Sequence, residues 1–340
     1  MELGYRTSII VPAYNSEKTI EECLKNICNE SRNLESEIIV IDDFSVDRTF
    51  EIVKKFKTVK LIKLKKNKGV GYVRNLGARL AKHKTLCYID SDLVISNNSI
   101  INLVKKLHQD KNIGSVSAIQ EISNLNLISW SSNFVCLKSC YGFDKVEKEV
   151  EFSACASEFC VISKELLKQV GGWKSLRGAG GEEFDLGYKI NQLNKKNIKI
   201  KAASYKAFYV SLYSRFKRII DRTEKYIHIF LVKKKFDTRG SFATLNQAFS
   251  CLLTLLFLIL ILFSFYLNKS FIIFGLLILF IFQIITEHKF LIFAKKYFGL
   301  KMLFFSLFGI QVINIGILFG VMYFFLKMFN IKEKKFSIPF

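Results

Sequence analysis

The stretch LCYIDSDLVIS, residues 86–96, breaks an apolar run with two carboxylates, Asp90 and Asp92, separated only by Ser91. Like charges this close repel unless a cation lies between them. Oxygen-only ligands favour Mg2+ or Mn2+ over zinc, and Mg2+ is typically held by one or two carboxylates together with substrate phosphate oxygens. The chemistry offered by this pair is a grip on a metal-bound diphosphate. A plain acidic turn is the alternative.

Such a pair has to be positioned by a sheet edge. SIIV (8–11), EIIVI (37–41), VKLIKL (59–64) and TLCYI (85–89) read as strands, and IEECLKNIC (20–28), FEIVKKF (50–56) and VRNLGARLAKH (73–83) carry helical spacing between them. Strands separated by helices of this length predict a parallel sheet covered on both faces. Residues 12–15, Asp42 with Asp43, residues 67–71, and Asp90 with Asp92 follow the four strands in turn. All fall at carboxyl ends of parallel strands, where open α/β sheets bind ligands. Further on, 99–109 reads as helix, 113–122 as extended, 156–163 as strand and 164–170 as helix. Residues 182–194 read as a helix whose first turn holds Glu182, Glu183 and Asp185, where the helix dipole favours acids. Residues 123–150 show no clear period. Gly69 and Gly71 mimic a dinucleotide fingerprint, but Arg74 stands where the third glycine belongs, which disfavours a dehydrogenase.

SIIVPAYNSEKTI, IIVIDDFSVDRTFEIV, KNKGVGYVRNLGARLA, CYIDSDLVI and GGEEFDLGYKI occur in that order. Together they resemble the family 2 glycosyltransferases over residues 7 to about 195. The resemblance implies a GT-A fold: a parallel-rich α/β sheet flanked by helices that binds a nucleotide-diphosphate sugar. It implies that Pro12, Ala13 and Tyr14 border the nucleotide with Glu17 nearby, that Asp43 recognises the nucleobase, and that Arg74, in Arg74-Asn75-Leu76-Gly77, faces the nucleotide. It places Asp90 near the ribose and diphosphate and makes Asp92, with Asp90, the ligand of Mn2+ or Mg2+. The family's general base stands at the start of a late helix, usually as Glu-Asp; here Glu183 takes the place of the usual Asp. Glu183 is the favoured base, with Glu182 and Asp185 as alternatives and helix capping as the competing reading. Trp173, beside a glycine-rich stretch, is assigned to the acceptor side, with burial in the core as the alternative. The implied reaction is a single displacement with inversion at the anomeric carbon.

The chain carries 51 Lys and Arg against 29 acids, a net charge of +22, which points to a polyanionic partner: nucleic acid, anionic lipid or a phosphorylated substrate. Acids ordered along strand ends speak against nucleic acid. Eight cysteines without a C-x-x-C pair, and only four histidines, argue against zinc and a disulfide scaffold. The amino terminus lacks the pattern of a signal peptide. From 201 to 239, eleven Lys and Arg face three acids, and Phe216, Ile219, Ile220, Ile227, Phe230 and Leu231 share one helical face. Such a basic amphipathic helix suits an anionic lipid surface or packing on the preceding domain. Three long apolar runs follow, and a membrane span needs about 20 such residues.

The expected organisation is a catalytic domain over 1–200, a basic juxtamembrane segment over 201–240, and an all-α membrane region over 241–340 with spans near 248–267, 271–286 and 303–326. A cytoplasmic catalytic domain obeys the positive-inside rule for Lys289, Lys295, Lys296 and Lys301, but three crossings put the lysine-rich tail outside. Either the third run does not fully cross or the rule is overridden. The Q-x-x-R-W motif of processive synthases is absent, the only tryptophans being Trp130 and Trp173. The expected function is a membrane-anchored, metal-dependent, inverting transfer of a single sugar from a nucleotide-sugar donor to a lipid-linked or cell-surface glycan acceptor. Transfer to polyprenyl phosphate is the alternative. A non-catalytic membrane-anchored nucleotide-sugar-binding or scaffold protein is the reading from another class.

Overall fold

The computed structural model describes residues 5–122, 129–174, 180–208, 211–234, 244–266 and 268–330. It divides into two compact units: Met1–Leu125 with Phe143–Phe208, and Asn126–Gly142 with Tyr209–Phe340.

The first unit begins with β1 (Arg6–Ala13), α1 (Ile20–Glu30), β2 (Glu35–Asp42), α2 (Thr49–Lys54), β3 (Val59–Lys63), α3 (Val70–Leu80) and β4 (Thr85–Ile89). It continues with β5 (Leu93–Ile95), α4 (Ser99–Gln109) and β6 (Ile113–Gln120). The chain then enters the second unit as α5 (Trp130–Cys140) and returns as β7 (Glu149–Glu151), β8 (Phe159–Ser163), α6 (Lys164–Gln169), α7 (Glu182–Gln192) and β9 (Lys196–Ala207). The sheet runs in the order β3-β2-β1-β4-β8-β6-β9-β5, with β7 on β9.

The first four strands are mutually parallel, and β1 is buried on both faces from Thr7 onward, as a central parallel strand must be. Ile9 and Val11 feed one core with α1, α2 and α4, while Ile10 feeds the other with α3, α6 and α7. Because β2 and β3 lie on one side of β1 and β4 on the other, connections diverge between β1 and β4. This is the switch point where open α/β sheets form a ligand crevice.

One feature adds to the sequence-based expectation, which left the direction of the strand over 156–163 open, and one differs from it. The strand β8 pairs antiparallel to β4, which brings its beginning to the carboxyl end of β4. Residues 201–207, assigned by charge to a juxtamembrane segment, belong to β9, which pairs with β6, β5 and β7. Lysines on this strand hid its period: Lys199 is buried while Lys201 is exposed.

The second unit holds α5, α8 (Leu212–Lys233), α9 (Leu245–Leu262) and α10 (Lys269–Asn330). Ser129, Ser211 and Thr244 cap α5, α8 and α9 by accepting a backbone N–H. Residues 287–302, between the second and third apolar runs, are helical as well, so α10 joins both runs, with a break where Gly299 takes φ +75°. By length and apolarity, Leu245–Leu262 and Lys269–Phe329 are candidate membrane spans. Leu255, Leu258, Ile259 and Leu262 of α9, and Phe271, Ile273 and Phe274 of α10, are exposed, an apolar surface of the kind that marks contact with lipid or protein. One buried ion pair ties α5 to α10: Lys138 Nζ lies 3.4 Å from Glu287 Oε2 and 4.2 Å from the Phe290 ring centre.

Candidate active site

Four loops converge at the mouth of the crevice. At the end of β1, Pro12 and Ala13 are buried and Tyr14 is half exposed. The chain turns through Asn15 at φ +49°. Ser16 N–H donates to Thr49 Oγ1 (2.7 Å), Glu17 N–H to Asp47 Oδ2 (3.0 Å), and Arg48 N–H to Glu17 Oε2 (3.2 Å), so this loop is tied to the one after β2.

Asp43, just past β2, is only 4% exposed. Its two oxygens accept the N–H groups of Lys68 (2.7 Å) and Gly69 (2.8 Å), closing the β3–α3 loop over the end of β2. Burial raises its carboxyl above the ordinary carboxylate range against the pull of those two amides. The residue expected to read a nucleobase is thus also a structural clip.

The Asp90-Ser91-Asp92 turn is pinned from three directions. Asp90 N–H donates to Glu158 O (2.9 Å), which joins it to β8. Ser91 Oγ lies 2.8 Å from Ser16 Oγ, and Ser91 O accepts from Thr19 Oγ1 (2.9 Å). Asp92 O accepts Phe208 N–H (3.0 Å) after β9. Asp92 itself is partly exposed.

Arg74 is the cation behind this turn and is 2% exposed. Its Nη2 donates to Asp90 Oδ1 (2.7 Å) and its Nη1 to Glu182 Oε1 (3.0 Å), while its guanidinium carbon lies 5.0 Å from the centre of the Trp173 ring. Burial opposes the charge on Arg74, but Asp90 and Glu182 outweigh it and hold its pKa above the usual value. Burial, and then Asp92, push Asp90 up to about 7 despite Arg74. One arginine does not offset the negative charge gathered here.

The other residues of the Arg-Asn-x-Gly segment have separate jobs. The Asn75 side chain brackets the Trp173 backbone, accepting its N–H (2.9 Å) and donating to its carbonyl (2.7 Å). Gly77 packs on Ile10, leaving no room for a Cβ. Trp173 is 2% exposed and meets Tyr88 edge-on, ring centres 5.2 Å apart. It therefore supports Arg74 from within the core, the alternative to its acceptor-side assignment.

The three acids of α7 separate in role. Glu182 is committed to Arg74, and Asp185 pairs with Lys189 one turn on (2.8 Å). Glu183, 6% exposed, accepts Gly181 N–H through Oε2 (2.7 Å), and its carbonyl accepts Cys155 N–H (3.0 Å). A Cβ at Gly187 would lie 2.6 Å from Ala154 Cα, so only glycine lets α7 approach this closely.

Glu158 escaped the sequence-based reading. It accepts from Tyr205 Oη (3.1 Å) and from Lys199 Nζ (3.5 Å), a buried ammonium between the rings of Phe143 and Phe152. The acid is visible in ASEFCVIS; its place beside Asp90 follows from the antiparallel pairing of β8, which sequence periodicity does not disclose.

Among the described residues, no three His, Cys, Asp or Glu side chains gather into a metal cluster. Asp90 and Asp92 form a two-carboxylate, all-oxygen set at a crevice mouth. That donor set fits Mg2+ or Mn2+ completing its shell with diphosphate and water oxygens, and does not fit zinc.

The geometry places the chain among α/β proteins of GT-A type, with acids at the strand ends beside the switch point. Residues 8–171 match the family model for glycosyl transferase family 2, and the chain belongs to that family. It is 26% identical over 171 residues to the poly-beta-1,6-N-acetyl-D-glucosamine synthase of Staphylococcus epidermidis, covering 49% of this chain and 41% of that one. It is 30% identical over 207 residues to the uncharacterized protein MJ0544 of Methanocaldococcus jannaschii, covering 56% of this chain and 83% of that one. The chain spans about half or less of the length of the curated enzymes it matches. In fold it is similar to the mannosyltransferase PcManGT of Pyrobaculum calidifontis, solved with GDP-Man and Mn2+. The TM-score is 0.58 at 16% identity, over 95% of this chain and 88% of that one.

Proposed function

We propose that this chain transfers a single sugar from a nucleotide-diphosphate donor to an acceptor at a membrane surface, with inversion at the anomeric carbon. The observation that carries the reading is the Asp90-Ser91-Asp92 turn, fixed at the switch point of the sheet with more acid than Arg74 offsets, in a member of this family. Asp92 and Asp90 would hold a divalent cation, which when bound would neutralise the charge developing on the departing diphosphate. Pro12, Ala13, Tyr14 and Glu17 border the nucleotide, and Asp43 faces its base. Arg74 is a positioning residue: its fork fixes Asp90 from behind and ties it to α7 through Glu182.

Glu183 is the proposed general base. Its Oε2 accepts a glycine amide, that of Gly181, beside a second glycine, Gly180. A neutral backbone partner exchanges readily for an acceptor hydroxyl, and a base needs only hydrogen-bond reach. The acceptor oxygen attacks the anomeric carbon, its proton passes to the Glu183 carboxylate, and the bond from the anomeric carbon to the diphosphate oxygen breaks.

The apolar helices of the second unit suit an acceptor that is lipid-linked or displayed on a cell-surface glycan, and a catalytic unit on the cytoplasmic side. MJ0544 has no stated activity, and the named relatives make or modify polymers of different sugars, so neither sugar nor base is assigned. The test is a panel of nucleotide sugars with the full chain in detergent, with and without Mn2+, scored for free nucleoside diphosphate. Cation-dependent release from one donor supports the reading; donor binding without release or transfer supports a non-catalytic binder instead.

A further inference from the structure

We propose that only α9 and the part of α10 before Gly299 cross the bilayer. The third apolar run, 303–326, lies with α8 along the membrane surface, its exposed apolar side at the acyl boundary and its neighbouring cations on anionic headgroups. This rests on the reading that the second unit meets a membrane.

The first support is a mismatch in level. A neutral hydrogen-bonded cluster joins the three runs: Gln247 Nε2 donates to Asn314 Oδ1 (2.6 Å), Asn314 Nδ2 to Ser250 Oγ (3.0 Å) and Thr254 Oγ1 (2.8 Å), and Gln283 Nε2 to Ser250 Oγ (2.6 Å). Ser250 lies in the first turn of the run 248–267, and Gln283 in the last turn of 271–286. Both therefore mark the same boundary of a two-helix hairpin, whose far end is the turn at Asn268. Asn314 sits midway along 303–326. Three aligned spans would set their centres level; here the centre of the third meets the margin of the other two. The offset is about half a bilayer, on the order of 10–15 Å at 1.5 Å per residue.

The second support is the partner of α10 beyond Asn314. Here α8 runs beside α10 in the same direction. Phe216 meets Phe319 edge-on, a Cβ on Gly316 would lie 3.1 Å from Phe216, and one on Gly320 would lie 2.6 Å from Thr223 Cβ and 2.8 Å from the Ile220 carbonyl. His228 packs on Phe324, and Lys327 Nζ is 3.0 Å from Glu224. Small residues four apart allow this approach, as between membrane helices. Yet α8 carries Arg215, Lys217, Arg218, Asp221, Arg222, Glu224 and Lys225 over that length. A helix so charged does not enter hydrocarbon, and what is packed along it stays out with it. Phe319, Met322, Leu326 and Phe329 of α10 are exposed beside it, as are Lys217 and Arg218. An apolar strip next to cations is the pattern of an interfacial helix on anionic lipid.

The sidedness then closes. Between Ala207 and Leu212 the chain is at most ~18 Å long, short of the ~30 Å core, so it does not cross between β9 and α8. Two crossings return it to the starting side, where Lys289, Lys295, Lys296, Lys301 and Lys327 all fall. Among the described lysines from α9 onward, Lys269 alone falls on the far side, beside the turn at Asn268, so the positive-inside bias holds.

The test uses the full chain in sealed membranes, with Cys28→Ser as background, and membrane-impermeant maleimide applied from either side. Three exposed positions are compared singly: Lys55→Cys, Asn268→Cys and Met328→Cys. The expected result is Asn268→Cys modified only from the side opposite Lys55→Cys, and Met328→Cys modified from the same side as Lys55→Cys. A fluorophore attached to the new thiol of the Met328→Cys variant should be quenched by a headgroup-level quencher and not by one at the bilayer centre. The proposal is overturned if Met328→Cys is modified from the side of Asn268 or protected from both sides, or if Asn268→Cys is modified from the side of Lys55. Donor turnover by the same variants separates the outcomes: loss of this topology with turnover intact leaves the transferase reading standing.

Discussion

The two units bury polar groups in opposite ways. In the second unit, Gln247, Ser250, Thr254, Gln283 and Asn314 are neutral and satisfy one another, and Lys138 faces Glu287 as a matched pair. In the first, charges meet at the sheet edge in unequal measure: Asp90 is pushed up to about 7 even with Arg74 against it, and Glu158 adds to the crowding. A closed, balanced cluster holds helices in register. An unbalanced one costs stability and persists where a ligand makes up the difference.

The sharpest break in that contrast is Asp92→Asn. It should lower turnover by on the order of 100- to 1000-fold and weaken cation dependence, with the thermal midpoint unchanged or raised; steady-state rates against Mn2+ concentration check it. Arg74→Met comes next. It strands Glu182 and Asp90 beside each other and should cost about 3–5 kcal/mol of stability in a denaturant titration. Arg74→Lys should recover little, since a single ammonium does not reproduce the fork.

The pH dependence comes third. The folded-state pKa of Asp90 is raised from the ordinary 3.8 to about 7, so the folded protein takes up its proton more readily than the unfolded chain. In chelator, the contribution of Asp90 therefore favours folding below about pH 4 and is lost as pH rises toward 7. Melting with and without Mn2+ plus a nucleoside diphosphate should show the ligands stabilising at pH 8 and hardly at pH 5. The smallest effect belongs to the neutral cluster: Asn314→Leu removes three bonds of about 0.6 kcal/mol each and should cost about 2 kcal/mol, with donor turnover unchanged. A large loss of turnover in that variant would erase the distinction between the two clusters.

Much of the first unit is legible in the sequence because its signals are local. The short apolar runs and helical spacings of residues 6–89 become β1 to β4 and their helices, with the strands parallel and the acids at their carboxyl ends. What stays hidden depends on partners far apart in the chain. Glu182 reads as a catalytic acid until Arg74, 108 residues away, is found holding it. Trp173 reads as a loop residue until Asn75 and Tyr88 enclose it. The strand β9 is masked by lysines whose neighbours, Phe143, Phe152 and Glu158, come from other elements. Residues 175–179, part of the stretch beside Trp173 assigned to the acceptor side, lie outside the described residues.

The central claim is that the acid turn at the end of β4 binds a nucleoside diphosphate through a divalent cation. Calorimetric titration of the full chain and of Asp92→Asn with a set of nucleoside diphosphates, in Mn2+ and in chelator, addresses it directly. The account predicts that one nucleoside diphosphate binds the unaltered chain in Mn2+, and that chelator or the amide abolishes binding. Equal affinity in all four conditions would contradict it.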